Sequence, residues 1–120
     1  MGEREPPPAG APRLRRARER LARGPEALRL EAVEQALCDP ARLRIVQALG
    51  DEELAVGELA AVIGRKVPAT SQHLRALREL GIVERRRHGR TVYYRLARGP
   101  AAEVVRAVLR TVTELAERSA

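Results

Sequence analysis

Aromatic side chains are almost missing from this chain: Tyr93 and Tyr94 are the only two among 120 residues, with no Phe and no Trp. The core must be built from Leu, Val, Ile and Ala. At this length there is room for one domain, and its core is modest because small domains bury a smaller share of their surface. A thin core favours an interface shared between two copies. Cysteine is nearly absent as well. The single Cys38 excludes an internal disulfide framework and suits a reducing cytoplasm. Histidine is limited to His73 and His88. An enzyme needs a nucleophile–base pair or a metal constellation converging in a pocket, and two His, one Cys and no convergent motif argue against that class. No apolar run is long enough to cross a bilayer. The N-terminus, MGEREPPPAGAP, is polar and Pro-rich and has no signal-peptide pattern.

Arginine is what the chain has in excess. The formal net charge is +7, and Lys66 is the one lysine among 23 basic residues. Residues 65–98 hold ten Lys or Arg against Glu79 and Glu84, a net +8. Residues 1–24 hold seven Arg against three Glu, a net +4, which leaves −5 for the remainder. A GC-rich coding sequence explains many arginines but not their segregation. Positive charge gathered on one stretch is the electrostatic footprint of a nucleic-acid binder.

Punctuation along the chain sets the elements. Residues 1–12 offer too little apolar area to fold and are expected to be disordered. Residues 13–23, RLRRARERLAR, have helix-forming composition with a narrow apolar edge at Leu14, Ala17, Leu21 and Ala22. They read either as a basic arm tracking DNA backbone or as a frayed, solvated helix. Gly24-Pro25 is a break, and Pro25 is placed to open a helix through Leu37, with Leu30, Val33 and Leu37 on one face. Asp39 is a good N-cap with Pro40 at the first helical position, for a helix to about Leu49 ended by Gly50-Asp51. A short helix follows from about Val56 to Ile63, closed by Gly64. After Gly99-Pro100 a final helix runs to about Arg118. Its apolar face, Val104, Val105, Val108, Leu109, Val112 and Leu115, is wider than one small domain needs. Together with Leu30, Val33 and Leu37 it is the expected dimer interface; ordinary packing within one chain is the other reading.

The stretch Val67 to Leu96 carries the most information. Pro68 suits a first helical turn. Leu74, Leu77 and Leu80 recur on one face, while Ser71, Arg75 and Arg78 lie on the other beside Gln72. Gly81 is placed to stop the helix. A strand is expected over Ile82–Arg87, a turn at His88-Gly89, and a second strand over Thr91–Leu96. Tyr93 and Tyr94 then point to opposite faces, one of them core. A short helix, a tight turn, a polar Arg-bearing helix and a basic hairpin together suit a winged helix-turn-helix. The expected class is mainly α (α+β), with about five helices and a two-stranded wing. Residues 1–24 form an arm, and residues 25–120 form the DNA-binding and dimerisation domain.

Several linked segments carry a likeness. Leu37-Cys38-Asp39-Pro40-Ala41-Arg42-Leu43-Arg44-Ile45, Glu58-Leu59-Ala60, Pro68 to Leu77 and Gly89 to Leu96 resemble the ArsR/SmtB family of bacterial transcriptional regulators, over roughly residues 26–118. The resemblance implies a homodimer binding double-stranded DNA at an imperfect inverted repeat, usually as a repressor released by a ligand. It places the recognition helix at Pro68 to Leu80. Thr70, Ser71, Gln72 and His73 lie near its start, with Arg75 one turn on and Lys66 just before. Gln72 has the geometry to pair bidentately with adenine. The wing tip is Arg86, Arg87, His88, Gly89 and Arg90. His73 has a second reading, which we prefer, as a structural residue of the helix.

The chain departs from the family at every usual sensing position. Where many members carry Cys-Val-Cys, this chain has Ala55-Val56-Gly57. Residues 100–120 contain no His or Cys, and no second cysteine exists to pair with Cys38. Candidate ligands for a divalent Ni²⁺ or Zn²⁺ reduce to Cys38, His73 and His88, on three different elements, helped by carboxylates or backbone. Cys38 itself reads first as a small buried residue and second as a thiol activated by the following helix start. The other readings for the signal are an organic ligand, a separate sensor protein, or none. A protein-interaction module, with the last helix as its docking face, is the remaining function class.

Overall fold

The computed structural model describes residues 5–6, 10–23 and 29–120. Six helices occur among them: α1 (Ala11–Ala22), α2 (Leu30–Cys38), α3 (Pro40–Leu49), α4 (Val56–Ile63), α5 (Val67–Glu79) and α6 (Pro100–Ser119). Three strands, β1 (Leu54–Ala55), β2 (Val83–His88) and β3 (Thr91–Leu96), form one antiparallel sheet in the order β1-β3-β2. The expected start of α2 at Pro25 lies outside the described residues, as does most of the stretch expected to be disordered. The helix in the arm begins at Ala11, slightly earlier than its composition suggests.

Local chemistry sets the boundaries. Asp39 caps α3, accepting hydrogen bonds from the backbone N–H groups of Ala41 (2.9 Å) and Arg42 (3.1 Å), and Pro40 follows in the first turn. These bonds, that from Arg42 first, hold the Asp39 carboxyl below its ordinary value. α5 ends in a Schellman arrangement: Ile82 N–H donates to the Leu77 carbonyl (2.9 Å) and Gly81 N–H to that of Arg78 (3.0 Å). Gly81 supplies the positive φ of 77° that this exit requires.

The expected two-stranded wing is present as β2 and β3, and Leu54 and Ala55 add a third strand to the sheet by pairing with Tyr94 and Tyr93. One expectation about the hairpin needs correcting. The expected turn at His88-Gly89 moves one residue on, because His88 is still paired with Thr91. The two-residue turn is therefore Gly89-Arg90. Gly89 has φ 59° and Arg90 does not have a positive φ, which is the pattern of a type II′ hairpin turn.

The core gathers Val33 and Ala36 from α2, Ile45, Val46 and Leu49 from α3, Leu59 and Ile63 from α4, and Leu74 and Leu77 from α5. Ile82, Val83 and Leu96 from the hairpin and Val105 from α6 complete it. The sheet base thus packs on the helices while the hairpin tip projects into solvent.

The expected dimer interface is divided by this packing. α2 and α6 lie against each other within one chain. Val33 and Val105 are accordingly core residues, and Leu37, Val104 and Leu109 pack partly against that core. Val33 and Val105 are used within the chain, and for those two the interface expectation is corrected; Leu37, Val104 and Leu109 are only half-buried. Leu30, Val108, Val112 and Leu115 remain exposed, and every residue from Arg110 onward in α6 is exposed.

Candidate nucleic-acid interface

α4 and α5 form the helix-turn-helix, joined through Gly64, Arg65 and Lys66. Ala55 has no side-chain acceptor to cap α4, but its N–H donates to the Glu58 carboxylate at 2.9 Å, which is half of a capping box. α5 is anchored from one side only. Thr70, Leu74 and Leu77 are fully buried, at i, i+4 and i+7 along one face. The outward face presents Ser71, Gln72 and Arg75, with Lys66 exposed at the helix start. Arg75 lies 3.3 Å from Glu79 in an exposed pair. Such a surface pair is worth little and exchanges readily for another anion.

Thr70 was expected to reach phosphate or base, and its geometry is against this. Its side chain is buried, and its hydroxyl donates to the Lys66 carbonyl at 2.9 Å. His73 is half-buried, and its Nδ1 accepts a 3.4 Å hydrogen bond from Arg42 Nε. Arg42 Nη1 also donates to Gln35 at 3.3 Å. This chain of contacts ties α5 to α3 and α2 and agrees with the structural reading of His73 over base contact.

Cross-strand register sorts the wing residues by face. Arg87 lies opposite Val92, Arg85 opposite Tyr94 and Arg86 opposite Tyr93. Tyr94 packs on the core. Tyr93 lies on the other face, in edge contact with His88 at 6.0 Å. Arg86, expected at the wing tip as a phosphate contact, is instead engaged: its Nη2 donates to Glu53 at 2.6 Å. Glu53 also takes Arg95 at 3.3 Å, and Arg95 bonds Glu84 at 2.6 Å. The hydrogen bond from Arg86, with the added field of Arg95 and His88, holds the Glu53 carboxyl below its ordinary value. Arg85, Arg87 and Arg90 are exposed, and none of the three makes an ion pair or side-chain hydrogen bond with the described residues.

Glu53 and Arg42 escaped the reading of the sequence. Their partners, Arg86 and His73, are 33 and 31 residues away, so no local spacing marks them. Cys38, read first as buried, is exposed, because it closes α2 just ahead of the Asp39 turn. The three candidate metal ligands Cys38, His73 and His88 lie on α2, α5 and β2. Among the described residues no group of three or more His, Cys, Asp or Glu is placed to hold a metal ion.

Comparison with known proteins is consistent with this geometry. Residues 39–85, from the α3 cap into the first wing strand, match the family described as "Bacterial regulatory protein, arsR family". The "Biofilm growth-associated repressor" of Agrobacterium fabrum is 42% identical over 74 residues, which cover 62% of this chain and 63% of that protein's own length. The crystal structure of the transcriptional repressor BigR from Xylella fastidiosa is similar, with a TM-score of 0.61 and 37% identity, over 81% of this chain and 94% of that one. A homodimeric winged helix-turn-helix DNA-binding domain from Mycobacterium bovis, solved in solution, has a TM-score of 0.61 and 33% identity, over 76% of this chain and 81% of that one.

Proposed function

The chain belongs to the ArsR family of bacterial regulatory proteins, and on that premise we propose that it is a sequence-specific DNA-binding transcriptional repressor. It acts as a homodimer on an inverted-repeat operator. The observation that carries this reading is the outward face of α5, where Ser71, Gln72 and Arg75 are exposed on a helix whose other face is locked in the core. Gln72 reads a base edge, Ser71 and Arg75 bond base or phosphate, and Lys66 sits where the helix start approaches the backbone. Arg87 and Arg90, with His88 beside them, supply wing contacts to phosphate or the minor groove. Arg86 and Thr70 hold the fold in place. The exposed Val108, Val112 and Leu115 supply the dimer contact. The similarity to a named repressor and to a homodimeric DNA-binding domain supports both halves of the reading. The protein acts in the cytoplasm, where the DNA is. Among the described residues no helix is long and apolar enough to cross a membrane.

Selection of bound duplexes from a random-sequence library, followed by footprinting, tests this. A two-fold symmetric dimer selects an inverted repeat whose half-site centres are about one helical turn, roughly 10 base pairs, apart. Recovery of no enriched sequence, or of a single unrepeated half-site, contradicts it.

A further inference from the structure

The arm helix α1 is left unexplained by the winged domain. It carries Arg13, Arg15, Arg16, Arg18, Arg20 and Arg23 at its turns and end against the single acid Glu19. None of its residues is buried, and Leu21 is 81% exposed. A helix of 12 residues is marginal in water without a partner. Here the first turn contains no acid, so Arg13 opposes the helix dipole rather than complementing it. Arg16 and Arg20, four apart, and Arg20 and Arg23, three apart, are like-charged neighbours that repel. An element that gathers so much charge of one sign, and buries nothing within the chain, is suited to a partner that supplies negative charge.

The arrangement of the charge points to the form of that partner. At 3.6 residues per turn, Arg13, Arg16, Arg20 and Arg23 fall in one row along roughly 15 Å of helix. Duplex DNA offers an extended line of negative charge, about one phosphate per 3.4 Å of axis along each strand. A membrane surface is the poorer match. An interfacial helix needs a broad apolar face, and the apolar edge of this one, Leu14, Ala17, Leu21 and Ala22, is too narrow and too poor in large side chains to anchor it.

We propose that α1 is a second, sequence-independent DNA contact, in which the row containing Arg16, Arg20 and Arg23 pairs with backbone phosphates flanking the segment read by α5. This rests on the DNA-binding reading above and adds to it a contact outside the winged domain. The helix strengthens binding to any duplex long enough to extend past the half-sites, and its helical content rises when phosphates neutralise the row.

The test compares the full chain with its Arg16→Gln/Arg20→Gln/Arg23→Gln variant on a long random-sequence duplex over a series of NaCl concentrations. The winged domain is untouched in both. The wild type is expected to bind with a steep salt dependence. In the variant the slope of log K against log salt should flatten by roughly 0.9 for each phosphate contact removed, with preference between specific and random duplexes unchanged. Equal slopes and equal affinities overturn the proposal while leaving the winged domain's role intact. Wild-type binding that is feeble and flat against salt overturns the DNA reading itself. Two further results also overturn the proposal. One is a variant that loses its dimer in sedimentation, which makes α1 a protein contact. The other is equal DNA slopes with loss of binding to anionic lipid vesicles, which makes it a membrane contact.

Discussion

Helices α5 and α6 are built alike on one side and differently on the other. Each buries one face in the same core: Thr70, Leu74 and Leu77 in α5, and Ala101, Ala102 and Val105 in α6. Beyond that face, α5 shows solvent Ser71, Gln72 and Arg75, whereas α6 shows Val108, Val112 and Leu115. The buried face holds a helix in the domain, and the face left over tells what it is for. A polar, cationic face gains by exchanging counterions with phosphate. An aliphatic face left in water gains about 25 cal/mol per Å² when another apolar surface covers it. On the proposed reading one helix is offered to DNA and the other to a second copy of the chain.

Each side of this comparison can be attacked by mutation. Removing the shared feature has the largest effect. Leu74→Ala or Leu77→Ala should cost about 2–5 kcal/mol of stability, read from the shift in the urea unfolding midpoint; a loss well under 1 kcal/mol would mean that α5 is not anchored as described. Next is the aliphatic face. Val112→Asp, exposed in the single chain, should leave folding nearly unchanged yet weaken dimerisation by roughly 2 kcal/mol or more. Sedimentation equilibrium distinguishes this from an intact dimer, which would remove α6 from the interface. On the cationic face, Gln72→Ala should lose about 1–3 kcal/mol of discrimination between the selected operator and one altered at a single base pair. Arg90→Ala should weaken both duplexes evenly and reduce the salt slope. If the two mutants exchanged these signatures, the assignment of reading to α5 and positioning to the wing would be reversed.

The smallest expected effect concerns the α3 cap, which holds the platform under both helices. Asp39→Ala should cost about 1 kcal/mol near neutral pH. The folded-state carboxyl titrates below its ordinary value of 3.8, so the stability it adds is present above that pH. It is lost as pH falls through the lower folded value. The difference between mutant and wild type should therefore persist from neutrality to about pH 4 and shrink only in stronger acid. A difference that vanished by pH 6 would show that the charged cap is not its source.

Much of the architecture was legible because it is written locally. Asp39-Pro40, Gly64, Gly81 and Gly99-Pro100 mark helix boundaries within a residue or two of those found. The strand Thr91–Leu96 lies where it was expected after the basic turn. What escaped depends on residues far apart in the chain. β1 is two residues long and exists only by pairing with Tyr93 and Tyr94, so it has no pattern of its own. Arg86 looked like a wing-tip cation until Glu53 met it across the fold. The apolar stripes of α2 and α6 were read correctly as stripes, but periodicity does not say whether a neighbour in the same chain or another copy covers them. Val33 and Val105 went to the core, and Val108, Val112 and Leu115 did not. Thr70 was recoverable, since it continues the Leu74 and Leu77 face by one turn; the leucine spacing drew attention to Leu80 instead.

The most direct measurement of the central claim is the affinity of the full chain for its selected inverted repeat and for a scrambled duplex of equal length, each followed through a salt series. The account predicts that the inverted repeat is bound at least 10³-fold more tightly, a ratio of the order usual for specific sites, and that both affinities fall steeply with salt. Equal affinity for the two duplexes, or binding indifferent to salt, would contradict it.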